Sequence, residues 1–408
     1  LWGNFKRNTS LRIDSEYKLN YESVDSSDIS NIINEYNIAK VFDNKIMDSI
    51  NKSFGARFGT GISSRQGIVQ DLNRNAMLGT LSHIRRISTP LPSGSKADGP
   101  RKLHNSQWGF VCPTESPDGG NVGIINHLSI VARVTNNISE KGVYQSLIDA
   151  ELLRLESITI HDMASFTNVF LNGRFIGLHQ SPDVLLKYMK LLKLNSFINI
   201  STSISWNTKT NEIHVFTDSG RVIRPVFYLK TDSNGEKYNE LISGDTSFIE
   251  TWKKSIHGYL YDKIDNLDFS TPYYFREELA ILKSSEPDYL NILEEKAGVI
   301  EYIDSIESEN LLIGRDIRSF TNNNSHCEIH PSLMLSAVAL NIPFPEHSQY
   351  PRNVFSCQQT KHAVGVYSSA YSTRFETFAH ILNYPQRPIV TTRFKKYTDV
   401  DKLPYGIN

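Results

Sequence analysis

The chain has 408 residues, with 43 Lys and Arg against 44 Asp and Glu, and the resulting formal charge of −1 argues against a general polyanion binder. With 39% hydrophobic and 21% charged residues it has the texture of a folded protein of about two to four domains rather than a disordered one. Three cysteines are too few for a disulfide framework, which favours a reducing compartment, and no apolar run approaches the ~18 residues that a membrane span needs.

The opening Leu1-Trp-Gly-Asn-Phe-Lys-Arg has no signal-peptide core, and a first residue other than Met points to an excerpt of a longer polypeptide. Residues 1–55 are rich in Ser, Asn and Asp, with one expected helix near Ser30–Ile50. Ser63-Ser64 then stands where an N-cap belongs, before a helical pattern of Ile68, Leu72, Leu78, Leu81 and Ile84. An interruption is expected at Asn73–Asn75 and a stop at Pro90. The polar residues of this pattern, among them Gln70, Arg85 and Arg86, are dense for a packing helix. Pro92 to Pro100 is a loop punctuated by glycine and proline, with Lys96 its one cation.

Arg101 to Gly123 reads R-K-L-H-N-S-Q-W-G-F-V-C-P-T-E-S-P-D-G-G-N-V-G. Pro117, Gly119, Gly120 and Gly123 deny it a regular helix or a central strand, so it is an ordered loop, and ordered loops often carry function. From Asn126 to Phe320 the texture becomes mixed. Asn172-Gly173 suits a type I′ hairpin turn, and Asp183–Leu194 an amphipathic helix. Glu212–Tyr228 alternates as a second hairpin turning at Asp218–Gly220, with Arg221 and Arg224 as surface or paired charges. Pro331 is placed at the first position of a short helix carrying Leu333, Leu335, Val338 and Leu340.

Charge is uneven along the chain. Arg85, Arg86, Lys96, Arg101 and Lys102 form one basic cluster, and Lys361, Arg374, Arg387, Arg393, Lys395 and Lys396 another, with acidic residues such as Glu277, Glu278, Glu294 and Glu295 between them. This distribution suits one nucleic-acid face and a solvated outer side. His326, Cys327, His330, Cys357 and His362 fit no common zinc spacing, so no metal ligands are assigned. No Asp-x-Asp-x-Asp occurs, so two-metal chemistry has no carboxylate set here.

The run from Arg101 resembles the fork region of the second-largest, beta-type subunit of multisubunit DNA-directed RNA polymerases, R-x-L-H-x-x-x-W-G-x-x-C-P-x-E-T-P-E-G-x-x-x-G. Ser116 stands for the usual Thr and Asp118 for the usual Glu, each keeping the chemical type. S-S-R-x-G-x-x-Q-x-L-N-R and L-S-H-I-R-R before it, then H-C-E-I-H-P-S, I-P-F-P-x-H-x-Q-x-P-R-N and the Arg374–Pro388 motif after it, extend the resemblance in order. It is closer to the eukaryotic and archaeal versions than to the bacterial ones, and the Asn-, Ile- and Lys-rich texture suits an AT-rich genome such as that of a large DNA virus.

The resemblance implies an α+β (mixed α/β), multidomain fold: the end of a protrusion-like domain (1–55), the fork (56–134 and 319–372), two external domains (135–240 and 241–318) and the start of a hybrid-binding domain (373–408). It implies that Arg352 reaches the incoming nucleoside triphosphate, where a fixed cation offsets charge on the leaving pyrophosphate. Arg85, Arg86, Lys96, Arg101, Gln70, Lys361 and His362 become nucleic-acid contacts. Glu115, Pro117, Asp118 and Gly119 shape the fork loop. His362 stands where the family has a glutamine near the RNA 3′ end, and imidazole still donates one hydrogen bond.

The implied partners are the largest and the smaller polymerase subunits, template DNA, the RNA–DNA hybrid and nucleoside triphosphates, with Mg2+ held by the largest subunit. The implied location is intracellular, nuclear or cytoplasmic, or a viral factory or virion. The family pattern Q-S-x-x-G-K-Q-A is met here by Ser356 to Ala363, and the departures at Ser356, Thr360 and His362 give some weight to an alternative, a truncated or split scaffold that keeps subunit-interaction surfaces without catalysis.

Overall fold

The computed structural model describes residues 10, 57–58, 65–66, 69–89, 91, 96–159, 165–232, 234–243, 252–264, 273–363, 382–384 and 389–397. The chain divides into two units, Leu1–Asn73 and Arg74–Asn408. In the first, β1 (Arg57–Phe58) pairs antiparallel with β2 (Arg65–Gln66). The expected helix at Ser30–Ile50, the Ser63-Ser64 cap, Pro90 and the Arg374–Ile381 and Pro385–Pro388 parts of the last motif lie outside the described residues.

The second unit begins with α1 (Met77–Ile84). The helical pattern expected from Ile68 is therefore realised only in its second half. Residues 69–76 are non-helical and Val69 and Leu72 are exposed, whereas Leu78 and Ser82 of α1 are buried. A helical turn with no apolar surface to cover lacks the packing that stabilises short helices. The chain turns at Arg85 into β3 (Arg86–Ser88), which pairs antiparallel with β4 (Ile125–His127). The intervening loop is punctuated by three short 3-10 turns, Gly99–Arg101, Asn105–Gln107 and Gly119–Asn121. β5 (Arg133–Val134) follows.

A mixed five-stranded sheet comes next. Helix α2 (Glu140–Asp149) precedes β6 (Leu153–Arg154), β7 (Thr167–Leu171) and β8 (Arg174–His179). Helix α3 (Pro182–Leu194) leads to β9 (Ser203–Asn207) and β10 (Glu212–Phe216), giving the strand order β6-β8-β7-β10-β9. Asn172 and Gly173 adopt φ of 49° and 78°, as the type I′ turn requires. Leu185, Met189 and Leu192 recur at helical spacing on α3 and meet the alternating Val169 and Leu171 of β7 in one core, where full burial of each such side chain contributes about 2 kcal/mol.

β11 (Val222–Tyr228) belongs to a second sheet, so the expected Glu212–Tyr228 hairpin is not formed. Both edges of β10 are already paired, to β7 in parallel and β9 antiparallel. The turn's polar groups go elsewhere: Gly220 N donates to Thr135 O at 3.1 Å and Thr217 N to Asn172 Oδ1 at 2.8 Å. A small hairpin of β12 (Lys230–Thr231) and β13 (Lys237–Tyr238) follows, and helices α4 (Arg276–Ser285) and α5 (Tyr289–Glu295) return to the first core. Then β14 (Ile300–Asp304), helix α6 (Ser305–Asn310), β15 (Ile313–Gly314) and β16 (His326–Cys327) complete the second sheet, ordered β14-β11-β16-β15 with β5 also on β11.

The helix expected from Pro331 is instead two 3-10 turns, Pro331–Met334 and Ala339–Asn341. Leu335 between them is extended because Ile130 N donates to its carbonyl at 2.9 Å. Among the described residues the last long element is α7 (Tyr350–His362), with Pro351 in its first turn. Its Cys357 joins Leu78, Cys112, Leu335, Val338 and Ala339 in a third core, which seats α7 against α1 and the loop before β4.

Candidate nucleic-acid interface

Glu115 is the buried centre of the Arg101–Gly123 loop, 1% exposed. Its Oε1 accepts from Ser82 Oγ of α1 at 2.5 Å and lies 2.9 Å from Lys361 Nζ of α7. His127 of β4 puts Nδ1 3.0 Å from the Glu115 carbonyl and Nε2 3.6 Å from Oε1. Since Nδ1 must donate to that carbonyl, Nε2 of the neutral ring carries no proton. Burial works to raise the Glu115 carboxyl pKa, but His127, Lys361 and the hydroxyls of Ser336 and Ser82 outweigh it and hold the group below its usual value. Burial pushes His127 down to about 4, against the pull of Glu115. At neutral pH His127 is therefore uncharged, and the Glu115 carboxylate faces the Lys361 ammonium.

The tip of the loop is held by short-range hydrogen bonds. Ser116 Oγ donates to Ile125 O and accepts from Gly123 N, at 3.2 and 2.9 Å. Asp118 Oδ1 accepts from Gly119 N at 2.8 Å, and both residues are exposed at the loop's tip, with Pro117 half-buried beside them. Glu115, paired to Lys361, and Asp118, turned to its own loop, do not compose a carboxylate set for a magnesium ion. Among the described residues no group of three or more His, Cys, Asp or Glu is arranged to hold a metal.

The cations divide into two kinds. Arg85 directs Nη2 at the carbonyls of Ser129 and Ala132, at 2.5 and 2.7 Å, and Arg101 directs Nη1 at Val122 O at 2.7 Å. These guanidinium groups hold backbone. Arg86 and Lys96 are exposed. Gln70 is exposed and belongs to the first unit.

Helix α7 carries the other predicted residues on two faces. Asn353, Val354, Cys357 and Lys361 are buried, and Asn353 Nδ2 donates to Pro345 O at 2.8 Å. Arg352, Gln359 and His362 are exposed with Phe355 half-buried between them, at the i, i+3, i+7, i+10 spacing of one helical stripe. The Arg352 guanidinium lies 5.7 Å from the Phe355 ring centroid, a cation–π contact that leaves its outer edge to solvent. Thr360 Oγ1 donates to the backbone carbonyl of residue 356, one turn back, at 2.8 Å, so its hydroxyl is satisfied within the helix.

Two polar clusters take their partners from far along the chain. Arg224 is buried and paired with Glu328, the paired alternative of the sequence reading rather than the surface one. Lys193 lies 3.1 Å from both Glu301 and Glu307, and His326 Nε2 is 2.7 Å from Glu301 Oε2, all four residues buried. The only sequence signal for the second was a lysine on the apolar face of α3.

Models of the RNA polymerase Rpb2 family match three stretches of the chain: domain 3 over residues 70–134, domain 4 over 169–230 and domain 6 over 338–408. The chain is 33% identical over 356 residues to the DNA-directed RNA polymerase II subunit 2 of Arabidopsis thaliana, covering 85% of this chain and 27% of the relative. It is 29% identical over 361 residues to the subunit Rpo2 of Sulfolobus acidocaldarius, covering 86% and 28%. Against DNA-directed RNA polymerase subunit 2 of Acanthamoeba polyphaga mimivirus it is 32% identical over 357 residues, covering 85% and 28%. An α+β chain that carries these segments in this order is a beta-type RNA polymerase polypeptide. It belongs to the Rpb2 family, the second-largest subunits, and spans under a third of the length of these relatives.

Proposed function

We propose that this chain works within a DNA-dependent RNA polymerase, presenting the α7 stripe to the incoming nucleoside triphosphate and the RNA 3′ end. The observation that carries this reading is the exposure of Arg352, Gln359 and His362 along one face while the opposite face is locked to the loop before β4. A guanidinium fixed by its helix and by Phe355 offers charge to a triphosphate without reorganising, which is how electrostatic stabilisation of phosphoryl transfer works. Exposed Arg86 and Lys96 supply phosphate contacts to DNA, and Arg85 and Arg101 serve by holding the backbone that displays them. The loop tip at Pro117, Asp118 and Gly119 faces the same nucleic acid.

In this reading residues 56–134 and 319–372 form the fork, 135–240 and 241–318 the external domains and 373–408 the start of the hybrid-binding domain. The partners are the largest subunit, which supplies the aspartates and Mg2+, and the smaller subunits, inside the cell. The test is single-nucleotide incorporation by the assembled polymerase carrying Arg352→Ala. Incorporation should fall about 100-fold with assembly intact. Normal incorporation would remove the assignment and leave the non-catalytic scaffold as the better account.

A further inference from the structure

Lys361 and His362 end the same helix and face different ways. His362, one residue on and about 100° around, continues the exposed stripe. Lys361 is buried, with its ammonium 2.9 Å from Glu115 Oε1. The Glu115 carboxylate is at the same time held by Ser82 of α1, and His127 of β4 backs it without a charge of its own at neutral pH. Arg85 and Arg86 are the other cations whose charge Glu115 feels, and Arg85 is turned to backbone carbonyls. For Lys361 to reach a phosphate, the pair would have to open and leave a buried carboxylate without its cation, which is costly.

We propose that Lys361 and Glu115 are positioning residues: they fasten the last turn of α7 to the Arg101–Gly123 loop and thereby set where the stripe stands, and Lys361 makes no nucleic-acid contact. The first turn of α7 is fixed independently, through Asn353 on Pro345 O. Between the two fastenings the helix is a rigid rod, with Arg352 and His362 about 15 Å apart along its axis. Loosening the Glu115 end displaces His362 first and tilts Arg352 with it. The loop tip at Asp118 and Gly119 lies three and four residues beyond Glu115, so the same pair ties the loop's tip to the helix. The substrate side of this inference rests on the polymerase reading above; the pairing does not.

The experiment uses assembled polymerase with the full-length subunit carrying Lys361→Gln, Glu115→Gln, both together, or Lys361→Arg, with Arg352→Ala and Lys96→Ala as comparators. Two quantities are read: the rate and apparent Kd for nucleoside triphosphate in single-nucleotide incorporation, and the salt dependence of binding to a DNA–RNA scaffold. Each single Gln variant should weaken the apparent Kd by about 10- to 100-fold. The double variant should be no worse than either, and Lys361→Arg should restore most of the loss. The salt slope of Lys361→Gln should match the parent, while Lys96→Ala lowers it by about 0.9.

A slope lowered to the same degree by Lys361→Gln would make it a phosphate contact and overturn the proposal. So would single effects that multiply in the double variant, or unchanged triphosphate parameters in both singles while Arg352→Ala impairs incorporation. If Arg352→Ala is itself silent, the polymerase reading of the stripe fails. The coupling of the two Gln variants in urea unfolding and the salt slope then still decide whether Lys361 belongs to Glu115 or to nucleic acid.

Discussion

Arg224 Nη1 lies 2.7 Å from Glu328 Oε2, and both side chains are buried between the second sheet and the loop before β4. The guanidinium carbon stands 5.2 Å from the Phe110 ring centroid, and a Cβ built on Gly109, at φ +75°, would meet Arg224 Cδ at 2.7 Å. A cation from β11 therefore fills the space that glycine leaves in the loop. Removing one partner of a buried pair strands the other charge, at about 3–5 kcal/mol. Arg224→Leu should accordingly lower the urea-unfolding free energy by that amount, and Arg224→Leu with Glu328→Leu by much less. Equal losses in the single and double variants would mean that the pair is not what holds this junction.

Lys193 makes a second case with the opposite arithmetic. Its ammonium lies 3.1 Å from Glu301 and from Glu307, so its loss strands two carboxylates. Glu307 also accepts from Ile204 N at 2.9 Å and forms a capping box with Asp304 at the start of α6. Lys193→Met keeps the length of the side chain and should cost more than about 3 kcal/mol. Because the cluster joins α3, β9, β14 and α6, amide exchange should accelerate in all four elements. Faster exchange confined to α3 would contradict this.

Burial lowers the His127 pKa to about 4, from about 6.5 for a free imidazole. A histidine depressed in the folded state contributes stability that is present above about pH 6.5 and lost as pH falls toward 4, because the unfolded chain takes up the proton first. The full effect is on the order of 3 kcal/mol. Buried His326 is shifted downward too, by burial against the pull of Glu301, so its contribution has the same sign. Unfolding free energies measured from pH 7 to pH 4.5 should fall less steeply in His127→Gln than in the parent. Parallel curves would exclude His127 as an origin of acid lability.

Exposed and inward cations should separate in a salt titration of DNA binding. Arg86→Ala with Lys96→Ala should reduce the salt slope by about 1.8, since each phosphate contact contributes about 0.9. Arg85→Ala should act mainly on stability, because its Nη2 holds the Ser129 and Ala132 carbonyls. A reduced slope for Arg85→Ala in a fully folded protein would place its guanidinium on DNA after all.

Local chemistry made much of this chain legible. The Asn172-Gly173 turn follows from two residues that tolerate positive φ, and α3 from an apolar stripe at helical spacing. The exposed stripe of α7 carries two of the residues singled out in advance, Arg352 and His362, at a spacing that sequence alone provides. What could not be read were choices between partners. Glu212–Tyr228 has the alternation of a hairpin, yet β10 and β11 enter different sheets because β7 and β9 occupy both edges of β10.

The same limit holds for charge. Composition and spacing determined that arginines and lysines cluster beside a loop shaped by proline and glycine, in the order shared with the Rpb2 family. Only the tertiary structure decided that Arg86, Lys96 and Arg352 face water while Arg85, Arg224 and Lys361 turn inward to carbonyls and carboxylates. The physical reason is that a buried charge must find an opposite charge or a set of dipoles, and those partners are 44 residues away for Arg85, 104 for Arg224 and 246 for Lys361. Sequence neighbours say nothing about partners at that distance.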